Sequence, residues 1–119
     1  MSAWRPDVLG DPFEARTLHL ADDDEGPVVA TLVRYAPPTA EPLRQARVVL
    51  YVHGWSDYFF QRELAEFWHA HGAAFYALDL RKYGRSLRDG QTPGYVVDLR
   101  TYDEDLDAAR MSSDQRGEI

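Results

Sequence analysis

His53-Gly54-Trp55 follows directly on an all-apolar run, Val48-Val49-Leu50-Tyr51-Val52, and is the sharpest chemical signal in the chain. A glycine where such a run stops lets backbone approach a ligand, because it has no Cβ and accepts unusual dihedral angles. The N–H groups that follow can then point into a site at the carboxyl ends of the strands. A second stretch, Asp79-Leu80-Arg81-Lys82-Tyr83-Gly84-Arg85-Ser86, closes another apolar run. Asp79 and Arg81 read there as a loop ion pair bracing the turns beneath such a site. Arg81, Lys82, Arg85 and Arg88 could gather an anion, but in an acidic chain a solvated loop is the expectation.

Neither serine near these turns has the surroundings of a nucleophile. Gly84-Arg85-Ser86-Leu87-Arg88 matches the start of Gly-x-Ser-x-Gly and fails at Arg88, where the strained strand-to-helix turn needs glycine. Ser56 has no glycine bracket. No catalytic residue is therefore expected within the chain. His53, alone at a strand end, reads as structural rather than as a general base. His69 and His71 lie on a helix at a spacing that points them in different directions, which makes them poor metal partners. His19 falls on an outer strand face. Asp22-Asp23-Asp24-Glu25 lacks the spaced ligands, central glycine and terminal Glu of a calcium loop, and reads as a solvated hairpin turn. No metal site is expected.

To bring the two turns together the chain needs two parallel strands with a helix between them. Val48–Val52 is apolar at every position, the pattern of a strand covered on both faces. Ser56 or Asp57 can cap a helix on which Phe60, Leu64, Phe67 and His71 follow helical spacing, with Trp68 widening the stripe. Gly72 ends that helix, and Ala73–Leu80 is the second parallel strand. Upstream, Arg16–Ala21 and Val28–Tyr35 form an antiparallel hairpin around the acidic turn 22–27. Pro37-Pro38 and Pro42 mark an exposed connection. Downstream, a loop with Gly90, Pro93 and Gly94 leads to a helix from near Asp98. Leu99, Tyr102, Leu106 and Ala109 share one face of it, with Asp103, Glu104 and Asp105 elsewhere. Residues 1–14 read as irregular, 15–110 as the folded unit and 111–119 as a polar tail.

The chain has 119 residues, 45% of them apolar, and a net charge of −7. That describes one domain or part of one, too apolar for disorder. The acidity argues against nucleic acid as a partner and gives no attraction to an anionic membrane surface. With no cysteine, disulfides, thiol catalysis and Cys-based zinc sites are excluded. The N-terminus lacks a signal-peptide core, and no apolar run is long enough to span a bilayer, so a soluble cytoplasmic protein is expected.

The order of these features is a hairpin, a strand to His-Gly-x-x-Asp, a helix, a strand to Asp-x-Arg-x-x-Gly-x-Ser, and a further helix. Over residues 15–110 it resembles the N-terminal part of the α/β-hydrolase fold, especially the lysophospholipase and monoacylglycerol-lipase-like branch with its serine-aminopeptidase relatives. The resemblance implies acyl transfer to water by a Ser-His-Asp triad, an ester or lipid substrate and no cofactor. It implies that Trp55 gives one backbone N–H to an oxyanion hole. His53, Gly54 and Asp57 then belong to the supporting turn, and Asp79, Arg81, Gly84 and Ser86 to a structural loop. At Lys82 the chain departs from the family, which usually has Gly there.

The family's nucleophile sits on a Gly-x-Ser-x-Gly elbow after a later strand, and no such elbow occurs in this sequence. Nucleophile, acid, catalytic His and second oxyanion donor are therefore expected outside it. The chain reads as an N-terminal fragment of such a hydrolase, as half of a two-chain enzyme, or as a small non-catalytic binding protein built on the half-sheet. An incomplete sheet would leave an edge open to a companion chain or to self-association.

Overall fold

The computed structural model describes residues 2–37 and 47–113. A five-stranded mixed sheet carries two helices, an α/β arrangement. In chain order the elements are β1 (Arg5–Pro6), β2 (Phe13–Asp23), β3 (Gly26–Tyr35), β4 (Arg47–Val52), α1 (Arg62–Ala70), β5 (Ala73–Asp79) and α2 (Tyr102–Ser112). The sheet order is β1-β2-β3-β5-β4. Strands β2 and β3 form the expected antiparallel hairpin. The expected parallel unit is β4 against β5, in register from Arg47↔Ala73 to Val52↔Leu78, and α1 supplies the crossover that a parallel pair requires. The hairpin joins this unit through an antiparallel β3–β5 pairing, which makes β5 central and leaves β4 paired on one side only among the described residues.

Alternation along the strands builds a core on each face of the sheet. Tyr76 and Leu78 of β5 join Leu18, Ala30 and Leu32 on one face, beneath Tyr102, Leu106 and Ala109 of α2. Phe75 and Ala77 join Phe13, Val33 and Phe59 on the other, beneath Leu64, Ala65 and Trp68 of α1. Strand β4 feeds both cores, Val48 and Leu50 one, Val49 and Tyr51 the other. Its side chains are half-buried rather than buried, and Val52 is exposed, because the strand lies at the edge.

Several expectations need correction. Residues 1–14 are not wholly irregular, since β1 pairs with β2 and β2 begins at Phe13. Helix α1 starts at Arg62, and neither Ser56 nor Asp57 caps it. The intervening backbone is claimed by tertiary bonds: Phe59 N–H donates to Asp79 Oδ1 at 2.8 Å, and Phe59 O accepts from Arg85 Nη1 at 2.7 Å. This shifts the phase of the stripe. Phe59 is the core residue, while Phe60 and Phe67 are half exposed at 50% and 51%. Gly72 does end the helix, with a φ of +82°, and its N–H reaches His69 O at 3.0 Å.

Asp98 accepts from Arg100 N–H ahead of α2, yet Leu99 is exposed and the packed face begins at Tyr102. Asp105 belongs to the buried side of α2. The helix runs to Ser112, past the expected end at 110, and Arg16 Nη1 donates to Ser112 O at 2.6 Å. The proline-marked connection at 38–46 and the tail at 114–119 lie outside the described residues. Among the described residues no helix is long and apolar enough to cross a membrane.

Candidate functional site

The motif turns leave the carboxyl ends of neighbouring parallel strands, His53 after β4 and Leu80 after β5. A single side chain joins them. His53 is buried, its Nε2 accepts from Leu80 N–H at 3.0 Å, and its Nδ1–H donates to Gly54 O at 2.8 Å. These two bonds fix the tautomer with the proton on Nδ1. The ring also meets Tyr83 edge-on, with centroids 4.7 Å apart. His53 is thus a strut between the turns, with both ring nitrogens occupied.

The β5 turn is held from every side. Asp79 is fully buried and accepts from Phe59 N–H, from Arg85 N–H at 3.0 Å and from Arg85 Nη1 at 2.9 Å. The Arg85 fork closes on Asp7 with Nε to Oδ1 at 2.7 Å and Nη2 to Oδ2 at 2.8 Å. Burial alone would raise the Asp7 carboxyl, but Arg85 and the backbone N–H groups of Leu9 and Val8 together outweigh it and hold it below its ordinary value. Gly84, at φ +45°, fits a space that admits no side chain: a Cβ would come within 2.4 Å of Tyr58 Cβ and 2.7 Å of Asp79 Oδ2. Ser86 is sealed beneath, its Oγ donating to Asp79 O at 2.8 Å and lying 2.9 Å from Thr31 Oγ1.

The structure does not pair Asp79 with Arg81. Arg81 is buried and bonds Asp105, Nε to Oδ1 at 2.8 Å and backbone N–H to Oδ2 at 2.8 Å, and also Glu104 Oε1 at 2.7 Å. Burial pushes the Asp105 carboxyl up despite these bonds. Lys82 takes a left-handed φ of +63°, the conformation glycine adopts most readily. Its buried amine reaches Asp23 and Glu25 of the acidic hairpin turn, the latter at 2.8 Å. Bonds from Lys82 and Thr92 hold Glu25 down at about 2. Tyr95 Oη donates to Asp24 at 3.0 Å. So Arg81, Lys82 and Arg85 form neither an anion patch nor a solvated loop, and the acidic turn is a clasp rather than free in solvent. Only Arg88 of the four cations is exposed.

The β4 turn is open. Trp55 is 81% exposed, Ser56 takes a φ of +54°, and Asp57 has no hydrogen bond or ion pair among the described residues. None of the described residues accepts from the Trp55 N–H. Two clefts flank the turn. One of about 190 Å³ is lined by His53, Gly54, Trp55, Leu80, Tyr83 and Tyr102, among others. The other, about 240 Å³, is lined by Trp55, Ser56, Asp57, Tyr58, Tyr83 and Gly94, among others. An unclaimed N–H between two clefts can donate to a bound acceptor. Among the described residues no group of His, Asp and Glu is placed to hold a metal.

His19, exposed, lies 3.3 Å from Ser2 Oγ, far along the chain from the motif turns. Asp7, Asp105 and the acidic clasp were not legible as partners of the basic turn, since their contacts cross 24 to 78 residues of sequence. The only signal was the coincidence of an acidic and a basic cluster in one short chain. The chain matches no family model, no curated protein and no solved structure.

Proposed function

We propose that this chain is the N-terminal part of an α/β-hydrolase-type serine hydrolase acting on esters, and that it carries half of the oxyanion hole. The observation behind the reading is the adjacency of two turns. A strand ending in His-Gly-Trp and a strand ending in Asp-x-Arg-x-x-Gly-x-Ser lie parallel and in register, tied by His53, with the Trp55 N–H unclaimed beside a cleft. When a serine attacks an ester carbonyl, the carbonyl oxygen gains negative charge, and a fixed N–H aimed at it lowers the barrier. Trp55 supplies one such donor. The expected need for glycine is not seen at Gly54, where a Cβ would meet nothing within 4 Å and φ is not left-handed; the braced β5 turn holds the partner end of His53.

The nucleophile, its histidine and acid, and the second donor belong to sequence other than these residues. Ser86 is sealed and Ser56 has no neighbouring base, so the chain by itself turns over no ester. The edge of β4 that is unpaired among the described residues offers backbone groups to a further strand, whether from the same protein or from a companion chain.

The test begins with the coding sequence around the gene, read for a Gly-x-Ser-x-Gly stretch in the same frame, another frame or a neighbouring gene. The segment is joined to this chain and assayed with short-chain nitrophenyl esters. Trp55→Pro removes the donor and lowers turnover on the order of a hundredfold, whereas Trp55→Ala keeps it and changes only packing or substrate fit. Because proline also restricts Gly54, circular dichroism confirms folding. Equal turnover in a well-folded Trp55→Pro variant, or fluorophosphonate labelling of Ser56 or Ser86 in the chain alone, contradicts the proposal.

A further inference from the structure

The larger cleft beside Trp55 has a chemical character of its own. Aromatic residues Trp55, Tyr58 and Tyr83 line it, together with Ser56 and Asp57. Asp57 is the charged group there that is left uncompensated: among the described residues it has no hydrogen bond and no ion pair. Lys82 also lines the cleft, but its amine is committed to Asp23 and Glu25 and lies 4.6 Å from the Tyr95 ring centroid. Arg85 is likewise committed, to Asp7 and Asp79. The lining therefore combines aromatic residues with one carboxylate that lacks a counter-charge, and among the described residues its one cation, Lys82, is already paired. Aromatic faces attract cations through their quadrupole, and a nearby carboxylate adds to that attraction.

We infer that this cleft binds an ammonium group, and that the ester acted on carries a positively charged, phosphate-free ammonium head. A phospholipid headgroup fits poorly, because its phosphate would meet Asp57 with no free cation among the described lining residues to balance it. A volume of about 240 Å³ suits a small head rather than a whole lipid. The ester half of this inference rests on the hydrolase reading; the ammonium half stands on the cleft alone.

The experiment uses the chain as it is. Tetramethylammonium is titrated while the indole N–H resonance of Trp55 is followed by NMR, assigned by its loss in Trp55→Ala. The same titration is run with the neutral, shape-matched 3,3-dimethylbutanol and with phosphocholine. Tetramethylammonium is expected to shift the Trp55 signal and to bind about tenfold more tightly than the neutral analogue, in line with a desolvated cation–π contact. Phosphocholine is expected to bind more weakly than tetramethylammonium. Asp57→Asn, in a turn where the carboxylate makes no bond among the described residues, is expected to weaken tetramethylammonium about fivefold. No shift of Trp55, equal binding of the neutral analogue, or tighter binding of phosphocholine overturns the inference. Since the titration needs no nucleophile, its failure leaves the hydrolase reading untouched, and absence of an elbow leaves the cleft assignment untouched.

Discussion

The turn after β5 and the turn after β4 are neighbours built on opposite principles. From Asp79 to Ser86, nearly every polar group is buried and answered: Asp79 by Phe59 and Arg85, Arg85 by Asp7, Arg81 by Asp105 and Glu104, Lys82 by Asp23 and Glu25. From Gly54 to Asp57, little is answered beyond the His53 strut. Both turns hold a non-glycine residue in left-handed backbone, Lys82 and Ser56. In the first the surrounding ion pairs hold that conformation. In the second, the Trp55 N–H and the Asp57 carboxylate beside the clefts have no partner among the described residues. One turn is braced by buried ion pairs, and the other is the surface on which the proposed oxyanion donor lies.

Four substitutions or conditions probe that contrast, and they differ in size. Asp79→Ala strikes the scaffold hardest. It strips partners from Phe59 N–H and from the Arg85 guanidinium, and breaking one side of a buried pair costs about 3–5 kcal/mol. Urea unfolding should show that loss, and a cost below about 1 kcal/mol would mean the turn is not braced as described. Gly84→Ala comes next. The added Cβ meets Tyr58 and Asp79 at contacts that cannot be relieved by a flexible side-chain tip, and overpacking of this kind costs about 1–3 kcal/mol. A thermal midpoint unchanged from wild type would place the turn in a looser packing.

A smaller effect comes from the acidic clasp. The ordinary carboxyl value for Glu25 is 4.5 and its folded value is about 2, lowered chiefly by the Lys82 and Thr92 bonds. An acid depressed on folding contributes stability that is present above its unfolded pKa and lost as pH falls through the folded one. Stability therefore falls between pH 4.5 and about 2, with Asp7 and Asp23 shifted in the same sense. Glu25→Gln should flatten that part of the curve, and an unchanged slope would show that the clasp does not hold the loop in solution. Smallest of all is Trp55→Ala, at an exposed position away from the cores, which should shift stability by no more than about 0.5 kcal/mol.

How much of this could be read from sequence depended on the range of the interaction. Continuous apolar runs located β4 and β5, Val, Leu, Thr and Tyr content located β3, and the His-Gly and Asp-x-Arg signals located both turns, because strand pattern and glycine placement are local. Helix α1 starts later than the local capping residues Ser56 and Asp57 suggest, because the Phe59 N–H is taken by Asp79, a bond across the sheet end that outweighs them. The same shift moved the buried position from Phe60 to Phe59. Apolar spacing alone leaves Asp105 off the packed face of α2, whereas in the fold it is buried and meets Arg81. Lys82 looked like a departure from a glycine turn, and its backbone takes the glycine-like conformation all the same while its amine pins the hairpin. Nothing local to residue 82 announces Asp23 and Glu25 as its partners.

Amide hydrogen exchange on the chain as it stands tests the central claim most directly, since the claim is that one turn is fixed and the other presents an unclaimed donor. The amides of Phe59, Leu80, Arg81 and Arg85, each donated to a buried acceptor, should exchange slowly, close to the global opening rate. The Trp55 amide should exchange as fast as an unstructured peptide. A protected Trp55 amide would mean that its N–H is already spent within the fold, and would contradict the proposal that the β4 turn supplies an oxyanion donor.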